Sequence, residues 1–364
     1  MILLLASDYL CAPETSVENQ FLKSTEMLAF EIIHIHNNLY FASGTSVQAK
    51  QSQLCMCTPA HFVEVGGFND KGDFLHIHIS VIHDFCEMMH ATAETHRDQP
   101  IIVCSESCDA GSICNACLLL GCYLILHLDL KPDSILGEVE EIARLDLIRS
   151  EGGEDVSKAV TDCWRALGLA RGLCWLGPSD STFDVEMYAH YAREANGDIH
   201  VLVPGKLLLF LAPVQLPAHQ PWADVCEAGR PPARLFSAPF LAELLADLDV
   251  SVVASLGQTT CGPEAFVERG LDVHDLGMDA DRPALLGALD RLLALAAAAP
   301  GAVAVFADAD AGAGVVPPAL IGTLAAAFLM RDLGFDAAAA TAWIRMVCPQ
   351  LVPVGRSAVS SRGG

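Results

Sequence analysis

Residues 301–332 have the sequence GAVAVFADADAGAGVVPPALIGTLAAAFLMRD, which predicts a buried strand, a loop rich in glycine and alanine, and an apolar helix. This order is the usual phosphate-binding arrangement, because the free N–H groups and the dipole of the helix attract an anion. The loop, however, contains no lysine, arginine or cysteine. It supplies the carboxylates of Asp308 and Asp310 instead, while Pro317 and Pro318 have no N–H group to donate. The sequence therefore predicts a phosphate-binding turn filled with residues that repel phosphate.

The composition indicates a folded chain with room for two ordinary domains. The chain has 364 residues, of which 52% are hydrophobic and 18% are charged. Its formal net charge of −24 at pH 7 argues against nucleic acid and against an anionic membrane surface as partners, since both require a basic face. A protein partner with basic segments suits this charge better.

Three features bear on the cell compartment. Met1–Leu10 lacks the basic leader and the cleavage site of a signal peptide, so we expect a first strand there. No apolar run reaches the roughly 20 residues of a membrane span, and Asp290 and Arg291 make Leu285–Ala299 an amphipathic helix. The 14 cysteines occur in apolar stretches such as CNACLLLGCYLIL, which predicts buried free thiols in a reducing, cytoplasmic setting.

Strands and helices alternate in both halves of the chain, which predicts an α/β fold of two tandem domains, each with a central, mostly parallel sheet flanked by helices. In the first half, QPIIVCSESCDAGSICNACLLLGCYLIL repeats the strand–loop–helix plan of residues 301–332. The segment EDVSKAVTDCWRALGLARGLCW predicts an amphipathic connecting helix. We therefore predict domains at residues 1–154 and 179–364, joined by a linker helix at 155–178.

One stretch of the second half carries a specific motif. It contains FD-x-x-x-Y-x-x-Y from Phe183 to Tyr191, then NGD at 196–198 and VPGK at 203–206. This stretch closely resembles the opening of the second domain in the cell-division-cycle 14 family of dual-specificity phosphatases. The segments LGFDAAAATAWIRMVCP and GLDVHDLGMDADRPA resemble the penultimate helix and the mobile acid loop of that family, and the first half resembles its catalytically silent first domain. The resemblance covers nearly the whole chain and implies two tandem phosphatase-like domains.

The resemblance also implies where a catalytic site would lie. In the family, a His-Cys-x5-Arg-Thr-Gly loop supplies a thiolate that attacks phosphorus and an arginine that holds two phosphoryl oxygens, while an aspartate protonates the leaving oxygen. Aligned on its strand and its helix, this chain has Ala307 at the cysteine position and Leu320 at the arginine position. Phe306 and Ile321 fall on the histidine and the threonine, and Asp279 falls on the general acid.

These positions predict a catalytically inactive protein. The family's pair of glutamines, which positions the hydrolytic water, falls near Arg356 and Ser357, so only the acid at Asp279 is retained. Losing one electrostatic donor of this kind typically costs about 10²–10³ in rate, and losing the nucleophile as well removes the covalent step. We therefore expect no functional catalytic residue at Ala307, Leu320 or Asp279, and no metal or cofactor.

Two alternatives stay open beside the inactive protein. One is an active phosphatase with displaced catalytic residues, and the other is a reader that binds phosphopeptides without hydrolysing them. Asp308 and Asp310 also match a chemistry in which one aspartate attacks phosphorus and a second, two residues on, acts as the acid. That chemistry needs a downstream lysine and an acidic pair for magnesium, and no lysine follows Asp310.

The histidine and cysteine clusters have simpler explanations than a metal or a nucleophile. Alternate histidines could place two zinc ligands on one face of a strand. Half-exposed positions on strands and helices are, however, a simpler explanation for histidines. Cys108 and Cys114, six residues apart in the first-domain loop, fit packed small residues better than a catalytic remnant. The other members of these clusters are His34, His36, His76, His78, His83, His90, Cys55 and Cys57.

An inactive phosphatase-like chain predicts a structural or protein-binding role. Proteins of this class occur in cytoskeletal assemblies, including ciliary doublet microtubules. We therefore expect protein partners in a larger assembly, such as tubulin and other axonemal proteins, in the cytoskeleton or in the axoneme of a cilium or flagellum. The C-terminal SAVSSRGG, in place of the long polar tail of the family, agrees with a fixed assembly.

Overall fold

The computed structural model contains two mixed, mostly parallel β-sheets with helices packed on them, so the predicted α/β class is confirmed. Neither sheet shares a strand with the other. The strand predicted at Met1–Leu10 lies outside the described residues. The structure describes residues 32–43, 60–65, 77–105, 110–135, 156–177, 182–217, 219–225, 233–257, 263–277, 282–307 and 318–351.

The first sheet has four strands in the order β1-β2-β4-β3. Only the β1–β2 pair is antiparallel, and β4 lies between β2 and β3 with parallel pairing on both sides. All five residues of β4 are buried, as expected for a central parallel strand with a continuous apolar sequence. The strands are β1 (Ile32–His36), β2 (Leu39–Ser43), β3 (His61–Val65) and β4 (Ile101–Ser105).

The second sheet has five strands in the order β10-β9-β11-β6-β5. Strand β11 lies in the middle and pairs in parallel with β9 and β6, while the β5–β6 hairpin around the predicted Pro-Gly turn is antiparallel. The apolar runs VSVVASL and AVAVFA form the interior strand β9 and the central strand β11, as their sequences predict. The strands are β5 (His200–Val203), β6 (Leu207–Leu209), β9 (Val250–Leu256), β10 (Asp272–Asp275) and β11 (Ala302–Ala307).

Helices with apolar residues at spacings of three and four pack on both sheets. In the first half, Ile79, Ile82, Cys86 and Met89 form the buried face of α1, which is the pattern that the sequence predicts for an amphipathic helix. Short 3-10 turns occur at Glu194–Asn196 and Pro349–Leu351. The helices are α1 (Ile79–Thr95), α2 (Ala110–Leu126), α3 (Val156–Gly172), α4 (Val185–Tyr191), α5 (Ala238–Asp247), α6 (Glu264–Glu268), α7 (Arg282–Ala298), α8 (Pro318–Asp332) and α9 (Ala337–Val347).

Helix α3 connects the two halves of the chain. It packs against α2 on the first-sheet side and against α9 on the second-sheet side. Trp164, near its middle, is 2% exposed, and its indole N–H donates a hydrogen bond of 3.0 Å to the carbonyl of Leu118. This helix lies within the predicted linker at 155–178, while the domain bounds 1–154 and 179–364 stay a prediction.

Two elements of the second half were not expected from the sequence. Strands β7 (Trp222–Val225) and β8 (Ala233–Phe236) form an antiparallel ribbon of their own. The segment that resembles an acid loop begins as strand β10, which pairs with β9 at the edge of the sheet, so treating all of it as a loop was wrong. Edge strand β10 is largely exposed and therefore has no apolar pattern that would predict it.

None of the helices that the structure describes has the length and apolar character that a membrane crossing requires. The predicted amphipathic helix at Leu285–Ala299 is confirmed as part of α7. Its buried face holds Ala288, Leu289 and Leu292, and Asp290 is exposed.

Candidate functional site at the carboxyl end of the second sheet

The fold places one edge of the second sheet where parallel α/β proteins bind ligands. Strands β6, β9, β10 and β11 run in the same direction, so their carboxyl ends meet at a single edge. Ligands of such sheets bind just outside the carboxyl ends of the strands. Ala307 is the last residue of the central strand β11, and α8 begins at Pro318. The glycine- and alanine-rich loop, residues 308–317, lies outside the described residues.

The structure places two of the three predicted site residues on either side of this loop. Ala307 ends β11, paired with Leu256 of β9. Leu320 lies in the first turn of α8, where it is partly buried and packs against the hydrophobic core, as does Ile321. Asp279 falls within 278–281, outside the described residues, as do Asp308, Asp310 and Pro317. The described part of the site thus offers an apolar strand end and an apolar helix start.

A glycine fixes the position of α8 at this edge. A Cβ atom at Gly322 would lie 2.5 Å from the carbonyl oxygen of Leu351, which is closer than real Cβ atoms come to backbone. Only glycine therefore permits the chain after α9 to pass so near the first turns of α8. This close approach holds the helix start, and with it Leu320, against the core.

Polar side chains near the end of β10 form hydrogen bonds with backbone groups. The Oδ1 atom of Asp275, at the end of β10, accepts a hydrogen bond of 2.7 Å from the N–H of Gly277. The Arg291 guanidinium of α7 donates to the carbonyls of Leu276 and, at 3.4 Å, of Gly277. This arginine is therefore engaged with the peptide groups that precede the predicted acid at Asp279. In the sequence, Arg291 appears only as a break in an apolar run.

One buried hydroxyl near the edge has no partner. Ser255 is 1% exposed and pairs in register with Phe306 on one side and Asp275 on the other. Its Oγ atom has no hydrogen-bond partner within the part of the chain that is described. Phe306 itself packs on Phe210, with ring centroids 5.1 Å apart. Among the described residues, Ser255 therefore places one orphan hydroxyl next to the aromatic side chains of Phe306 and Phe210.

The lysine of the VPGK motif lies at the other edge of the sheet. Lys206 occupies the turn between β5 and β6, and its carbonyl accepts from Val303 at the start of β11. Its ammonium forms a 2.6 Å ion pair with Asp332 at the end of α8. Both groups lie at the amino end of β6, on the opposite side of the sheet from the end of β11. The Lys206 ammonium therefore cannot neutralise an anion bound beyond Ala307.

The aromatic residues of the motifs are parts of the core. The Tyr188 hydroxyl donates to the carbonyl of Val347 at the end of α9, and the same carbonyl lies 3.1 Å from Nδ1 of His200. The Nε2 atom of His200 lies 2.9 Å from a carboxylate oxygen of Asp198. Burial raises the pKa of Tyr188 above its ordinary range. These residues form a buried polar network that joins α4, β5 and α9, which is a structural role.

The thiols that the structure describes are mostly buried, as predicted. Burial raises the pKa of Cys163 to about 12 and that of Cys117 further, so neither is a thiolate at neutral pH. Cys114, at the position of an arginine in the first-domain loop, is 2% exposed on α2. Cys174 is the exception, being exposed. The described free cysteines are Cys86, Cys104, Cys114, Cys117, Cys122, Cys163, Cys174 and Cys348.

The histidines that the structure describes have ordinary neighbours. The ring of His34 is exposed, and its Nε2 atom lies 2.7 Å from the carbonyl of Asn37. The Nδ1 atom of His78 lies 3.3 Å from the Tyr188 hydroxyl. Among the described residues, no three histidine, cysteine, aspartate or glutamate side chains are placed to hold a metal ion. Cys55, Cys57, His76 and Cys108 lie outside those residues.

Comparison with known proteins supports the resemblance seen in the motifs. The family model for the N-terminal half of the dual specificity protein phosphatases matches residues 32–168. The dual specificity protein phosphatase CDC14AB of Danio rerio is 27% identical over 325 residues, which is 86% of this chain. CDC14C of Homo sapiens is 23% identical over 296 residues, or 78% of this chain.

The chain is a relative of the CDC14 dual-specificity phosphatases. It covers 49% of the Danio rerio CDC14 protein and 60% of the human one, so it spans about half of their length. Among solved structures, Tk-PTP in its active form is 16% identical, and the alignment covers 43% of this chain and 88% of that one with a TM-score of 0.29. The matches to the family model and to the CDC14 sequences confirm the relationship predicted from the FD, VPGK and AWIR motifs.

Proposed function

We propose that this chain is a catalytically inactive, phosphatase-like protein that serves as a structural or protein-binding module. The observation that carries the proposal is the pair of residues flanking the loop. Ala307 ends the central strand and Leu320 packs against the core at the start of α8. In the sequence between them there is no cysteine, histidine, arginine or lysine.

The chemistry of phosphoryl transfer through a thiolate requires both missing groups. A methyl group cannot attack phosphorus, and an aliphatic side chain cannot hold the charge that develops on the equatorial oxygens. The loop adds two carboxylates at Asp308 and Asp310. Each like charge within about 4 Å of a bound phosphate costs on the order of 1 kcal/mol in water and more near a low-dielectric surface. The gain from an exposed helix N-terminus is about 0.3–1 kcal/mol, so repulsion wins.

Both alternatives, an active phosphatase and a phosphopeptide reader, depend on phosphate binding at this loop. Isothermal titration calorimetry of the full chain with inorganic phosphate and with a phosphotyrosine peptide therefore tests the proposal. We expect no saturable heat from either ligand, and no change in the double variant Asp308→Asn/Asp310→Asn. Saturable binding that competes with inorganic phosphate and strengthens in the variant would identify a reader and overturn the proposal.

A cytoskeletal assembly, with tubulin or other axonemal proteins as partners, is the setting that we propose for the module. The charge of −24 favours contact through basic segments of those partners. Co-sedimentation with purified microtubules and with salt-stripped axonemes tests this setting. We expect the chain in the axonemal pellet at low ionic strength, and its absence from both pellets would contradict the setting.

A further inference from the structure

A groove lies on the surface of the second half of the chain. Its cavity volume is about 680 Å³, within the range of sites that bind ligands. The segment that follows β6 forms one wall, and the first turns of α5 and the short helix α6 form the other. The apolar part of its lining includes Val214, Leu216, Pro217, Phe240 and Ala265.

Hydrogen bonds of the backbone fix the walls of this groove. The N–H of Val214 donates to the carbonyl of Phe236, and the N–H of Ser237 donates to the carbonyl of Pro221, both at 2.9 Å. Phe240 is held from behind, because its ring stacks on Phe236 with centroids 5.5 Å apart. These contacts hold the segment that follows β6 and the start of α5, which form the walls of the groove, in place.

A polar group lines the groove without a partner. Ser237 is the N-cap residue of α5, yet its side chain makes no capping hydrogen bond. It is 8% exposed, and its hydroxyl has no hydrogen-bond partner within the described residues. An N-cap serine ordinarily bonds the first turn of its helix, so this hydroxyl is left to donate to a bound group. A peptide carbonyl is the simplest acceptor for it.

Carboxylates line the groove beside this hydroxyl. The carboxylate of Glu243 forms an ion pair with Arg269. Glu264 and Glu268, one turn apart on α6, form no ion pair with the residues that the structure describes, and both are exposed. The groove therefore combines an apolar floor, one free hydroxyl and two uncompensated negative charges. A cationic side chain flanked by apolar ones is complementary to this lining.

We propose that this groove is the docking site for an extended segment of a partner protein that carries lysine or arginine beside apolar residues. The proposal rests on the protein-binding role inferred above and names its surface and its partner chemistry. A second copy of the chain is disfavoured by mutual repulsion, since each copy carries a net charge of −24.

Selection from a displayed library of short random peptides tests the site directly. The full chain is the target, and fluorescence anisotropy with labelled copies of the enriched peptides then gives dissociation constants for three variants. Glu264→Gln/Glu268→Gln removes the uncompensated charges of the groove. Ser237→Ala removes the free hydroxyl and breaks no helix cap. Glu186→Gln/Glu194→Gln is the matched control, since it makes the same charge change on two exposed residues, in α4 and in the 3-10 turn after it, that form no ion pair with the residues that the structure describes.

We expect enriched peptides with a basic residue beside apolar ones. Binding should weaken about tenfold in the Glu264→Gln/Glu268→Gln variant at low salt, because two ion pairs are lost, and severalfold in Ser237→Ala. The control should bind as the wild type does. No enrichment, or equal binding by the groove variant and the wild type, would overturn the proposal. The phosphate titration does not depend on the groove. If no peptide binds the groove, the proposed catalytic inactivity still stands. If phosphate binds the loop, the proposed inactivity fails, and the groove proposal is unaffected.

Discussion

The indole N–H of Trp343 donates a hydrogen bond of 2.9 Å to the carbonyl oxygen of Leu202. Trp343 belongs to the AWIR sequence of α9, and Leu202 belongs to the strand before the VPGK turn, so the two motifs that carry the family relationship meet at this bond. Trp343 is fully buried, and its ring also packs on Trp175 at 5.3 Å between centroids. The motifs therefore record the packing of the fold.

The variant Trp343→Phe should be strongly destabilised. It leaves the Leu202 carbonyl buried without its donor, at a cost of about 1–3 kcal/mol in the free energy of unfolding, and adds the cost of the smaller ring. Urea denaturation followed by circular dichroism measures the change. Trp222→Phe is the control, since Trp222 is 40% exposed. Equal unfolding midpoints for the two variants would contradict the role of the bond.

The variant Gly121→Ala should separate α2 from the connecting helix α3. A Cβ atom at Gly121 would lie 2.1 Å from the indole of Trp164, which must then move within a packed core. Overpacking of this kind typically costs about 1–3 kcal/mol. Gly172→Ala is the matched control in a helix, because nothing lies within 4 Å of a Cβ atom there. Thermal unfolding should show a lower Tm for Gly121→Ala alone, and an unchanged Tm would show that the helices are not packed at this point.

Acidification should destabilise the first half through His127. Burial is the main cause that lowers the pKa of this histidine below its ordinary value of 6.5, while Glu87 opposes the shift and His90, His83 and Arg171 reinforce it. The unfolded chain therefore binds the proton more readily than the folded chain does. The contribution of His127 to the free energy of unfolding is fully present above pH 6.5, and it is lost as the pH falls from there toward the folded pKa. The Nδ1 atom of His127 is buried without a hydrogen-bond partner among the described residues. This burial is consistent with the cost of placing a charged imidazole there.

The variant His127→Phe keeps a ring at this position and removes the titration. Denaturation at about pH 7.5 and about pH 5.5 should show a smaller loss of unfolding free energy for this variant than for the wild type. His219→Gln, at an exposed histidine, should keep the wild-type loss. The same loss for all three proteins would mean that His127 does not contribute to the pH dependence.

Thiol reactivity should follow burial. Cys174 is exposed in the turn after α3, whereas burial raises the pKa of Cys163 to about 12 and that of Cys117 higher still. Iodoacetamide labelling with peptide mapping should therefore modify Cys174 in the folded chain and reach Cys117 and Cys163 only after unfolding. Rapid labelling of Cys117 in the native protein would contradict the packing of α2.

The central strands could be predicted from the sequence because burial on both faces requires continuous apolar runs. VSVVASL and AVAVFA are such runs, and they form β9 and β11. Strand β10 could not be predicted in the same way. Its residues Asp272–Asp275 are held at the sheet edge by backbone pairing with β9, which leaves no hydrophobic pattern in the sequence.

The site was predictable in part for a related physical reason. The strand and the helix that flank residues 308–317 are local in sequence, so both could be predicted from it. The groove is built from the segment after β6, the start of α5 and α6, which are far apart along the chain. Such a surface exists only once the sheet brings the three segments together, and the free hydroxyl of Ser237 has no signature in the sequence.

Hydrolysis of 4-nitrophenyl phosphate by the purified full chain tests the central claim most directly. We expect no turnover above the rate of buffer alone, because Ala307 provides no nucleophile and Leu320 provides no cation. Asp308→Asn, Asp310→Asn and Cys108→Ser, assayed at the same protein concentration, should match the wild type. Turnover that scales with enzyme concentration and disappears in one of these three variants would contradict the account and name the displaced nucleophile.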